Sequence, residues 1–138
     1  MSPTRAKDAC EELACLGIRL IEVGRAKPVE QCAKAIRTIV QEYCATGSAE
    51  SQWIAHLLVN LEWIAQAAMI FGDDELAAKV RAKMDRPNNL SEGNWSAALD
   101  MRVRLIEDFD EGLHRPGGSN YFPEDPRAEL LRAVQRKG

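Results

Sequence analysis

Cysteine and histidine are too few and too irregularly spaced in this chain to build a metal-stapled scaffold. The chain has two histidines, and Cys10, Cys15, Cys32 and Cys44 form neither a CxxC pair nor a Cys/His zinc spacing. Each thiol falls instead in a helical pattern, where it behaves as a small apolar residue. The opening stretch, MSPTRAKDACEEL, has no apolar run after its basic residues, so a cytoplasmic location is expected rather than a secretory one. No lysine or arginine occurs between Thr38 and Ala78, while Glu42, Glu50, Glu62, Asp73, Asp74 and Glu75 do, which leaves the middle of the chain locally acidic. No run reads as a strand, and there is no internal repeat or low-complexity segment, which excludes sheet-based and repeat architectures. Hydrophobic residues at 46% and charged residues at 28% exclude disorder, and a net charge of −3 is too small to name a partner.

What is present is helical. Trp53 to Phe71, WIAHLLVNLEWIAQAAMIF, is apolar on nearly every side and has to be surrounded. Its length also matches a bilayer core, but Glu62 lies at its midpoint and no lysine or arginine anchors either end, so no membrane is expected. The pattern predicts an all-α, single-domain bundle over residues 1–138, with five to six helices around a central one at about 48–71. Ser2 and Pro3 read as the cap and first position of a helix that ends near Val23, with Gly24 as its left-handed stop. Pro28 opens a second helix, forming a hairpin that places Cys10 and Cys44 at one level. Ser48 is the expected cap of the central helix. After it, Gly72 and the acidic Asp73-Asp74-Glu75 mark a short fourth helix, and Ser91 precedes a long fifth. That fifth helix is expected to turn Trp95, Leu99, Arg102, Ile106, Phe109 and Leu113 to the core. Residues 115–125 read as a loop, and Asp125-Pro126 starts a short C-terminal helix.

Several groups of residues could carry function. Gln52, His56, Asn60 and Trp63 fall at spacings of four, four and three, making a single polar ridge on an apolar helix. An imidazole and an amide make directed hydrogen bonds, an indole supplies area, and Arg102 could hold an anionic group in its guanidinium fork. The plainer alternatives are a ridge facing solvent and a satisfied buried network that fixes helix register; an enclosed cavity beside His56 would favour the binding reading. Glu62 and Arg102 are each charged among apolar neighbours, and a cross-helix ion pair would account for both. Glu107, Asp108, Asp110 and Glu111, followed by His114, form the densest acidic cluster. Its ExxD and ExxH spacings occur at helical metal sites, but a ferritin-like dinuclear centre needs a second Glu-x-x-His that is absent here. Lys79, Arg81, Lys83 and Arg86 form a short basic patch without a recognition helix or a glycine-rich phosphate loop, so nucleic acid is not an expected partner.

No Ser/His/Asp or Cys/His constellation can be assembled, and no cofactor or metal is expected. The expected function is a non-enzymatic protein–protein interaction module, a small cytoplasmic regulator, inhibitor or adaptor. It would meet another protein, one with a basic surface, through Glu107, Asp108, Glu111, Tyr121 and Phe122. A second copy of the chain is a further candidate partner. Two alternatives stand beside this reading. One is a divalent-metal-dependent nucleotide hydrolase using the acidic cluster of the fifth helix, and the other is a small-molecule binder using the polar ridge of the third.

Overall fold

A computed structural model describes residues 2–115 and 120–137, and all its regular elements are helices. They are α1 (Pro3–Glu22), α2 (Ala26–Cys44), α3 (Ser51–Ile70), α4 (Asp74–Arg81), α5 (Glu92–His114) and α6 (Pro126–Lys137). The expected all-α bundle is the observed fold.

Local chemistry sets the helix ends. Ser2 Oγ accepts from the Arg5 N–H, Ser91 Oγ from that of Asn94, and Asp73 Oδ1 from that of Leu76. Each satisfies a first-turn donor that has no partner within its helix. Gly24, Gly47 and Gly72 take φ of +77°, +81° and +80° in the turns after α1, α2 and α3, a conformation that costs glycine least. Ser48 does not cap α3. Glu50 holds the cap position without a side-chain bond, and its N–H donates to the Tyr43 hydroxyl at 3.1 Å. Ser48 is drawn into the preceding turn, where its N–H donates to Thr46 Oγ1.

α3 packs against all five other helices. It is long and apolar enough to cross a membrane by length and composition, yet 67% of that span is buried among its neighbours, as in a core helix. It lies close against α1 at Gly17, where an added Cβ would stand 3.1 Å from Ile64 Cδ1. The α1–α2 hairpin carries α6 beside α1 and α4 beside α2, so the neighbours of α3 run in the order α6, α1, α2, α4. α5 lies on the remaining side of α3, and α3 is its one substantial helix partner among the described residues. The covered line of α5 runs through Trp95, Ala98, Arg102, Leu105, Phe109 and Gly112. Leu113, expected on that seam, is 40% exposed, because the line shifts to Gly112 in the last turn and no helix flanks α5 to cover the next position.

All four cysteines are buried and free, so Cys10 and Cys44 form no disulfide. Burial pushes the Cys10 thiol up to about 12 and those of Cys15 and Cys44 to about 11.

Charge fastens α6 to α1. The Glu129 carboxylate, buried under α6, accepts from Arg19 at 2.6 Å and pairs with Arg132 at 2.7 Å, while Arg136 pairs with Glu22. Burial alone would raise the Glu129 pKa, but the two arginines outweigh it and hold the carboxyl below the usual glutamate value of 4.5. A carboxyl depressed in the folded state contributes stability above its unfolded pKa, and that contribution is lost as pH falls through the folded value. Amide exchange should therefore show α6 losing protection in acid before the α1–α2 hairpin does. Glu129→Gln should lower the melting temperature at pH 7 and flatten its decline with acid, and an unchanged slope would show that this carboxylate does not hold the helix.

Candidate functional site

On the α6 side of α5 lies a cleft of about 140 Å³. Lys7 and Glu11 reach it from α1, His56, Val59, Asn60 and Trp63 from α3, Leu105 from α5 and Arg127 from α6. Helical spacing explains the first two sets, since residues three and four apart share a face.

Asn60 is the most buried polar side chain lining the cleft, at 1% exposure. Its Nδ2 donates back along α3 to the carbonyls of His56 (3.0 Å) and Leu57 (3.2 Å). Those two acceptors fix the orientation of the amide, because a flip would set Oδ1 against two carbonyl oxygens. Oδ1 is thereby turned away from the helix backbone, buried and without a hydrogen-bond partner among the described residues. A buried acceptor left in this state costs ~1–3 kcal/mol, so it demands an explanation.

Charges of both signs surround it. Lys7 Nζ pairs with Glu11 Oε2 at 3.2 Å. Arg127 is held by Asp125 through Nε (3.1 Å) and Nη2 (2.8 Å), and its guanidinium lies 4.3 Å over the Tyr121 ring. Burial raises the pKa of Glu11, with Lys7 opposing. For His56, burial first and then the positive charges of Lys7 and Arg127 hold the imidazole below its ordinary value of 6.5. At pH 7 it is neutral, with one nitrogen to donate and one to accept. The Trp63 indole forms an apolar wall. Its ring stands 5.1 Å from Phe109, which stands 6.2 Å from Tyr121, so a chain of aromatic contacts ends under Arg127.

No protein-family model, curated protein or solved structure matches this chain. The cleft is defined by its own chemistry. His56, Asn60 and Trp63 of the expected ridge meet in it. Gln52 does not: it lies about one turn before His56, exposed, with Nε2 donating to Glu50. Arg102 is also elsewhere, across α5. The expected Glu62–Arg102 ion pair forms at 4.0 Å without a hydrogen bond, because Arg81 grips both Glu62 oxygens at 3.0 and 2.8 Å. Sequence reasoning missed Lys7, Glu11, Val59, Leu105 and Arg127. On their own helices the charged ones read as ordinary solvated positions, and only the tertiary fold brings them to Asn60.

The other expected site residues lie outside the cleft. Glu107, Asp108, Asp110 and Glu111 are exposed on the outer face of α5, with Glu111 paired to Arg115 at 3.3 Å. Among the described residues of the single chain no group of three histidine, cysteine, aspartate or glutamate side chains converges. Lys79, Arg81 and Arg86 are each paired with an acid, Glu75, Glu62 and Glu92 respectively. Tyr121 packs inward, whereas its neighbour Phe122 is 78% exposed. Of the expected loop at 115–125, residues 116–119 lie outside the described residues.

Asn60→Leu keeps the branching at Cγ, in a somewhat larger side chain, and removes the unpaired oxygen. Urea unfolding should show a gain of about 1 kcal/mol, whereas a loss of that size would mean that Oδ1 is satisfied in the free protein.

Proposed function

We propose that this protein is a binding module for a compact polar ligand that seats in the cleft over Asn60. The observation that carries the reading is the buried, unpartnered Asn60 Oδ1, which accepts a ligand N–H or O–H. Around it the remaining groups divide by charge. Lys7 and Arg127 favour an anionic group, Glu11 and the neutral His56 can accept from a donor, and Trp63, Val59 and Leu105 supply apolar wall. A small zwitterion matches this pattern, with ammonium donors to Asn60 and Glu11 and a carboxylate against Arg127 and Lys7. A cleft of about 140 Å³ suits an amino acid or a molecule of similar size better than a nucleotide.

Ligand in this position touches four helices, α5 and α6 among them. Occupancy would therefore tighten the bundle, which is how a small regulator reports a metabolite.

The free amino acids and their amine-only and acid-only analogues make the test, read by tryptophan fluorescence and calorimetry. Saturable binding of at least one zwitterion is expected, weakened about tenfold or more in Asn60→Leu and in Arg127→Gln. If none of these ligands saturates the wild-type protein, the cleft does not have this role.

A second reading, an interaction module, is favoured by Phe122, an aromatic side chain left 78% exposed beside the pinned Tyr121. The exposed acids Glu107, Asp108 and Glu111 on the outer face of α5 suit a partner with a basic surface. In affinity capture from native extract, a stoichiometric protein held by wild type should be lost from Phe122→Ser and weakened by salt. Equal recovery by both proteins would discard the role of this residue.

A further inference from the structure

The opposite flank of α5 has a gap of its own, about 280 Å³, lined by Leu61 and Glu62 of α3, Arg81 and Met84 at the end of α4, and Arg102 and Ile106 of α5. No residue lines both clefts. Within this second one, Glu62 is fully engaged. Arg81 Nε and Nη2 donate to its two oxygens at 3.0 and 2.8 Å, and Gln66 Nε2 donates to Oε2 at 3.2 Å. Arg102 is left over. Its Nη1 stands 4.0 Å from Glu62 Oε1, no hydrogen bond reaches its guanidinium among the described residues, and Nε is buried without an acceptor. Yet the side chain is only 16% exposed. Two guanidiniums against one carboxylate leave a positive charge beside the apolar walls of Leu61, Met84 and Ile106.

We propose that this cleft binds a small monocarboxylate carrying a short unbranched apolar chain, with the carboxylate on Arg102 and the chain along Leu61, Met84 and Ile106. A planar carboxylate accepts two parallel N–H bonds from a guanidinium, which satisfies the side chain that the fold leaves without an acceptor. A phosphate dianion fits less well, because Glu62 stands on the same cleft and repels the second charge. The chain is part of the recognition: a carboxylate without one would leave the three apolar side chains wetted and gain nothing from them.

The test is an NMR titration of the full chain with acetate, butyrate, hexanoate and octanoate, alongside hexanamide and 1-hexanol. Saturable shifts are expected at the Arg102 Nε–H and the Ile106 methyls. Affinity should tighten by about fourfold per methylene until the chain outgrows the cleft. Arg102→Gln should weaken hexanoate by about tenfold or more, with Arg102→Lys intermediate because it keeps the charge and loses the fork. Equal binding of hexanamide or hexanol, undiminished binding to folded Arg102→Gln, or no saturation by any carboxylate would each overturn the proposal. The neutral analogues are compared on the wild-type protein, so the outcome stands even if Arg102→Gln fails to fold.

Discussion

A helix that is apolar all round has to be covered all round, and this requirement on α3 organises the molecule. A two-stranded or hairpin arrangement would leave half of it in water, at roughly 25 cal/mol for each Å² exposed. Five helices share the task instead. Four of them form a continuous series from α6 through α1 and α2 to α4, each in contact with the next. The fifth, α5, is laid on the remaining side with α3 as its one substantial partner among the described residues, and its two flanks are the places where cover is incomplete.

Those flanks are where Asn60 and Glu62 of α3 lie. Asn60 and Glu62 are two positions apart, which on a helix of 3.6 residues per turn places them on nearly opposite sides. One lines the cleft between α5 and α6, the other the cleft between α5 and α4. In each, a polar group on the core helix is met by charge from a neighbour, and in each one hydrogen-bonding atom is left over: Asn60 Oδ1 in the first, Arg102 Nε in the second. A bundle selected for stability alone would fill both gaps with apolar side chains, since a partly satisfied buried network is worse than none.

The sequence was most legible where the chemistry is local. Helix number and most helix ends follow from apolar spacing, glycine stops and side-chain caps within four residues, and the ridge of His56, Asn60 and Trp63 is likewise a matter of spacing on one helix. It was least legible where a residue's role depends on a distant one. Arg81 and Arg102 are both within reach of Glu62 once the helices pack, and nothing in the order of residues says which one takes it. Lys7, Glu11 and Arg127 look like solvent-facing charges on their own helices. Ser48 failed as a cap for the same reason: the Tyr43 hydroxyl, seven residues before Glu50, accepts from the N–H at the start of α3.

The buried thiols have a consequence for how the molecule can be watched. Cys10 and Cys15 belong to α1, and Cys32 and Cys44 to α2, all protonated at neutral pH and shielded by packing. A thiol reagent in solution can react with them only during excursions that uncover these helices, which at Cys15 means releasing the Glu124 carbonyl to which its Sγ donates. The rates at the four sulfurs therefore form a natural set of clocks, needing no introduced label, that time the opening of α1 and α2 against a helix core that itself carries none.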